Sequence, residues 1–207
     1  MEGLIERGGV FMWPLLFSSA LAVAVGVERA VYFLKMRSFD RAARRTLENA
    51  LVAGELEKAL SLAEGPGPSR DCVRAAVENW SQPPEVLEAS LAVQAKEHEP
   101  LLHRFLGLLE TIVTAAPLIG LLGTITGMMG VFNSVAQKLS ADPHASTTGI
   151  TAGIGEALIA TATGILVAVI ALLFHNIFQA QAGARMTEVE QTAESIRLAH
   201  AKKASNT

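Results

Sequence analysis

Charge and aromatic rings are both scarce in this 207-residue chain. Charged residues make up 18% and aromatics 5%, while half of all residues are hydrophobic. A soluble domain usually carries about a quarter charged residues. The apolar mass is Ala, Leu, Ile and Val, joined by 17 glycines, and small residues of that kind let helices approach closely in lipid. No basic stripe with interleaved aromatics occurs, which argues against nucleic acid as a partner. The net charge of −3 points to no other. Cys72 is the sole cysteine, so no intrachain disulfide can form and no zinc or haem spacing can be built on it. Its neighbours Asp71, Val73 and Arg74 fit an ordinary helix start, where a buried structural thiol is expected rather than a reactive one.

The common catalytic patterns are missing too. There is no paired-histidine metal motif, no glycine-rich phosphate loop after a strand, and no nucleophile with a base at workable spacing. His98 and His103 are five residues apart, about 140° around a helix, so with Glu97 they make no metal site. No enzyme activity, catalytic residue, metal or cofactor is expected.

Three long apolar stretches are present, each meeting the length of about 20 residues that a spanning helix needs. The first, 10–34, runs from Val10 to Val27 without a charge and continues past Glu28-Arg29 to Leu34. The Ala20, Ala22 and Ala24 pattern would also suit a cleaved signal peptide. Glu2 and Glu6 beside a single Arg7 oppose that, because a signal peptide begins with net positive charge. A retained helix is expected. The second stretch is 106–135 and the third 150–178, joined by a short loop, 136–149, that contains Asp142-Pro143 and a Ser-Thr-Thr run. These two form a tight hairpin. At 1.5 Å per residue, roughly 30 residues make about 45 Å, so both should project beyond the hydrocarbon core.

Orientation follows from the basic residues. The segment 35–105 carries ten Lys and Arg and the tail 179–207 carries four, against Arg7 alone in the N-terminal segment 1–9 and Lys138 alone in the hairpin loop. The positive-inside rule puts the N-terminus and hairpin loop outside, and the middle segment and tail in the cytoplasm.

The middle segment has a helical pattern. Ser38 and Asp40 offer caps for a run with apolar positions at Ala43, Leu47, Leu51, Leu56, Leu60 and Leu62. Gly65-Pro66-Gly67-Pro68-Ser69 is a loop. A short helix over Asp71 to Trp80 stops at Pro83-Pro84, and a third starts near Pro84-Glu85 and, after a bend at Pro100, feeds directly into the second span. The fold class is therefore an all-α membrane protein with three transmembrane helices, two of them long and extending into a helical cytoplasmic domain.

The functional argument lies in what is polar inside the second and third spans. Thr111, Thr114, Thr124 and Thr126 interrupt the second, with Pro117 in its middle. Gly120, Gly123, Gly127 and Gly130 recur at spacings of three and four, a packing stripe; the threonines can bond back to their own helix. The third span carries Glu156, roughly 9 Å below its outer end on helical rise. A carboxylate there costs on the order of 3 kcal/mol, and such residues usually mark ion pathways or proton relays. No Lys or Arg lies within either span. Gly149, Gly153, Glu156, Ala160 and Thr163 share one stripe, with Ala157, Thr161, Gly164 and Ala168 beside it. Three spans enclose a passage poorly, so any pore would form between subunits. A scaffold membrane protein without ion conduction explains the glycines and the hairpin but leaves Glu156 uncompensated. His175, near the inner end of the third span, is expected to be an interfacial imidazole.

At this point two motifs become recognisable. Ala116-Pro117-Leu118-Ile119-Gly120-Leu121-Leu122-Gly123-Thr124 with Gly127-Met128 resembles the second-helix signature of the ExbB/TolQ/MotA proton-channel family. The run from Gly153 to Gly164 resembles its third-helix signature, and Glu28-Arg29 fits the inner end of its first helix. Three spans match the ExbB and TolQ type, whereas MotA-type stators have four. The resemblance implies a homopentamer in a bacterial inner membrane, enclosing two copies of a single-span ExbD/TolR-like partner that carries an essential intramembrane Asp. Thr124 and Thr161 match the pore-lining threonines and Glu156 the intramembrane glutamate. Proton flow would then move the partner, whose periplasmic part works on a TonB-like or other envelope protein. On an ideal helix Glu156 and Thr161 point about 140° apart, so Thr161 is expected in the lumen and Glu156 towards a subunit seam or the outer mouth. TonB-dependent transport is the favoured process, over Tol-type envelope maintenance or gliding.

Overall fold

The computed structural model describes residues 9–36, 39–141 and 148–205, apart from the side chains of 138–141, 148–152, 156 and 204–205. Most of the N-terminal segment 1–9, the expected cap Ser38 and the centre of the hairpin loop lie outside the described residues. Every described element is a helix. They are α1 (Met12–Lys35), α2 (Arg41–Val52), α3 (Leu56–Leu62), α4 (Pro68–Glu78), α5 (Pro84–Leu102), α6 (Leu106–Ala141) and α7 (Thr148–Ser205). Three of the helical stretches, Met12–Lys35, Pro84–Gln137 and Gly153–Lys203, hold windows long and apolar enough to cross a membrane. The third span and the tail belong to one helix of 58 residues.

The chain divides into two compact units. One comprises residues 29–104 and 178–207. Its helices start where local chemistry dictates. The Asp40 carboxylate accepts the Ala43 N–H at 2.8 Å, which satisfies one of the free donors at the start of α2. Gly54, Gly65 and Gly67 take positive φ values in the turns around α3 and before α4, a conformation glycine reaches without a Cβ penalty. Pro68 and Pro84 open α4 and α5, where a proline's missing N–H costs nothing. That is why α4 begins at Pro68 rather than at Asp71. The core of this unit joins Leu47, Leu51, Val73, Trp80, Leu91 and Ile196; each fully buried leucine stabilises it by about 2 kcal/mol. The tail is pinned by Glu188, whose Oε1 accepts the Phe39 N–H at 2.8 Å while Oε2 pairs with Arg185 at 2.8 Å. His98 Nε2 reaches Asp71 Oδ2 at 2.9 Å and so ties α5 to α4. Cys72 is in this core, and its thiol is pushed up from the ordinary 9.0 to about 12, by burial first and then by the Asp71 charge. It is an inert structural thiol.

Arg29 also belongs to this unit. It is 1% exposed, sits over the Tyr32 ring at 4.3 Å and donates to the Leu101 carbonyl at 3.0 Å. A buried guanidinium must be paired to persist, and here it serves the last turn of α5, whose carbonyls lack helical partners. Pro100 lies inside α5, which ends at Leu102, and the helical run is interrupted at 103–105, where Phe105 has φ 65°. A left-handed residue ends a helix by turning the backbone out of register; the proline alone does not.

The other unit, residues 1–28 and 105–177, holds the apolar parts of α1, α6 and α7. Its buried positions include Leu106, Leu109, Ile112, Ala116, Gly120, Gly123 and Val131 on α6 and Ala157, Ala160, Gly164, Val167, Ala168 and Ala171 on α7. Most recur at three or four residues, the spacing of a helix face. Helix α1 joins them through Gly26, where a Cβ would lie 2.8 Å from the Phe174 ring.

Candidate functional site

The seam between α6 and α7 is set by glycines. A Cβ on Gly164 would lie 2.5 Å from the Ala116 carbonyl oxygen and 3.1 Å from the Gly120 Cα; one on Gly120 would lie 2.9 Å from the Ala160 carbonyl oxygen. The two backbones touch there. Gly123 and Gly127 face the Ala160 and Ala157 methyl groups, at 2.8 and 3.1 Å from an added Cβ, and Gly153 faces the Val131 side chain. Gly130, which spacing puts on the same stripe, has nothing within 4 Å. Pro117 is half-buried beside this seam, and α6 continues through it.

Close approach decides what the threonines do. Thr111, Thr114, Thr126 and Thr163 donate to carbonyls of their own helices, as does Thr124, to Leu121 at 2.7 Å. Among the described threonines of α6 and α7, Thr161 alone crosses the seam. Its hydroxyl donates to the Gly120 carbonyl at 3.0 Å, one helical turn from Thr124. A hydroxyl has one proton and two lone pairs. With the protons of Thr124 and Thr161 spent on backbone carbonyls, both side chains offer acceptor oxygens to anything that approaches. Glu156 lies in α7, but its side chain is outside the described residues. At the far end of the same seam, His175 Nδ1 stands 3.2 Å from the Leu106 carbonyl; a carbonyl only accepts, so Nδ1 carries the proton.

Two residues are easily passed over when the spans are searched for interruptions. Arg29 hides at a span's end, where a cation is unremarkable until its burial is seen. Glu110 is the single acidic residue between 106 and 135 and lies exposed, one turn into α6. Position so near a helix start makes it look like a boundary residue. No group of three potential metal ligands occurs among the described residues.

The model of the MotA/TolQ/ExbB proton channel family matches residues 64–191. The chain belongs to that family. Similarity to individual members extends further. It is 38% identical over 177 residues to the biopolymer transport protein ExbB-like 3 of a Synechocystis strain, covering 83% of this chain and 81% of that one. It is 28% identical over 204 residues to the biopolymer transport protein ExbB of Salmonella typhimurium, covering 96% and 79% respectively. The Tol-Pal system protein TolQ of Pseudomonas aeruginosa is 33% identical over 97 residues, 47% of this chain and 40% of that protein. As a member of the MotA/TolQ/ExbB family the protein is a multi-pass membrane channel protein, not an enzyme.

Proposed function

We propose that this MotA/TolQ/ExbB family member is the channel subunit of an ExbB/TolQ-type motor in a bacterial inner membrane. Five copies would surround two copies of a single-span ExbD/TolR-like partner. The proton motive force would then be converted into work on a TonB-like or other envelope protein. TonB-dependent transport is favoured because similarity to the ExbB of Salmonella typhimurium runs over 96% of the chain. The basic residues support a periplasmic N-terminus and hairpin loop, with 35–105 and 179–207 in the cytoplasm.

The observation that carries this reading is the clasp between Thr161 and Gly120. A hydroxyl held at the rim of a glycine-lined seam, its proton committed at 3.0 Å to backbone, presents a fixed acceptor. Five such acceptors around an axis stabilise a protonated carboxylic acid, which donates, better than a carboxylate, which only accepts. That difference couples the partner's protonation to where its acid can sit in the ring. Fixed, preorganised groups of this kind cost no reorganisation when charge moves. Glu156 would stand nearer the outer side of the same route. Thr161→Val removes the hydroxyl at nearly constant volume. In proteoliposomes holding the complex purified through a tag on this chain, proton uptake driven by an imposed gradient should fall to background while the oligomer's mass is kept. Wild-type uptake by that variant would remove Thr161 from the route and leave a scaffold as the better account.

A further inference from the structure

Helix α6 shows three longitudinal faces. At about 100° per residue, Leu109, Ala116, Gly120, Gly123 and Gly127 form the buried seam with α7. Leu118, Ile125 and Met129 form an exposed apolar face along the middle of the helix, with Thr111 on the same line nearer its start. Between these two lies a third face, holding Glu110, Thr114, Pro117, Leu121, Thr124 and Met128, all within about 40° of one line. Thr124, which the family resemblance places in the pore, and Glu110 are therefore on the same face of one helix, 14 residues or about 21 Å apart along its axis.

Among the described residues no side chain donates to the Glu110 carboxyl group. The nearby hydroxyls of Thr111 and Thr114 turn to the carbonyls of Gly107, Thr111 and Glu110 itself. An ionised carboxylate in a span is retained only where water or a partner meets it. The apolar face of α6 points elsewhere, so what meets Glu110 must come along the face it shares with Thr124.

Building on the reading above, we infer that Glu110 is a second ionisable station of the ion route, five copies forming a carboxylate ring at its cytoplasmic mouth. The carboxylate accepts a proton from a hydronium ion in lumen water, leaving neutral water as its O–H bond forms. It then gives that proton to a cytoplasmic water, which becomes hydronium, and returns to the carboxylate, with no other reactant consumed. Thr124 and Thr161 cannot do this, because a hydroxyl does not hold an extra proton at ordinary pH, whereas a carboxyl group titrates.

The test uses the same proteoliposomes with Glu110→Gln, Glu110→Asp and Thr161→Val side by side. Glu110→Gln should lower proton uptake by about a hundredfold, the low end of what a positioned proton-transfer group contributes, and Glu110→Asp should keep most of it. If Thr161→Val conducts normally, the reading of the route itself fails. If Thr161→Val is silent but Glu110→Gln conducts at the wild-type rate, the Glu110 proposal alone is overturned. Should Glu110→Gln not assemble, Glu110→Cys in a Cys72→Ala background gives a second readout. A membrane-impermeant anionic methanethiosulfonate should modify it and restore uptake, and should leave Leu118→Cys unreacted. An unreactive Glu110→Cys would overturn the proposal.

Discussion

Gly164 and Gly130 are the same residue type in two helices of the same unit, yet they stand in opposite situations. At Gly164 an added methyl would meet the Ala116 carbonyl oxygen at 2.5 Å, and backbone cannot step aside; at Gly130 it would meet open space. Overpacking a close-fitted interior costs about 1–3 kcal/mol, while replacing a helical glycine by alanine in open surroundings gains up to about 1 kcal/mol. Gly164→Ala should therefore lower the thermal unfolding midpoint in detergent micelles and Gly130→Ala should hold or raise it. Equal effects would mean that the seam is not the close contact described. The glycine spacing was legible from the sequence, but which glycines touch backbone was not, because that depends on where the partner helix lies. The threonines teach the same lesson. Only the interhelical distance set by Gly120 and Gly164 lets one of several similar hydroxyls, that of Thr161, reach across.

The elements themselves were largely readable, since their signals are local. Asp40 as a cap, Pro68 and Pro84 at helix starts, and long apolar runs each act within a few residues. The end of α5 was not, because a left-handed Phe105 carries no local signal in a residue with a Cβ, and the Arg29 guanidinium that serves the Leu101 carbonyl lies 72 residues away. The turn that follows rests on Phe105 at φ 65°, which strains a residue with a Cβ by about 1–2 kcal/mol. Glycine relieves that strain but gives up the ring's contacts, so Phe105→Gly should change stability by no more than about 1 kcal/mol. A β-branched residue keeps the strain and worsens it, so Phe105→Val should cost more, about 1–3 kcal/mol. Chemical denaturation of the two variants in micelles measures the order. If valine were tolerated as well as glycine, the left-handed turn would not be what ends α5.

At the scale of the molecule, the sequence divides its two tryptophans between the two units. Trp13, in the first turn of α1, is 66% exposed, and Trp80, in the core of the helical unit, is 2% exposed. Along α1 the exposed side chains Trp13, Phe17, Val23, Val27, Val31 and Leu34 recur at three, four and six residues. Such a stripe of large apolar groups suits lipid better than another helix, because close helix contacts favour small residues. A tryptophan at its end belongs in the interfacial belt. Phospholipids brominated on their acyl chains quench indole fluorescence by contact, so they report which tryptophan meets lipid. Reconstituted Trp80→Phe protein, which keeps Trp13, should be strongly quenched, and Trp13→Phe protein, which keeps Trp80, should not. Quenching of Trp80 would put the helices α2 to α5 in contact with the bilayer, against the proposed placement of 35–105 in the cytoplasm. A protected Trp13 would mean that the outer stripe of α1 is covered by protein. Subunit contacts in the proposed oligomer would then run through α1, whose outer stripe would no longer face lipid.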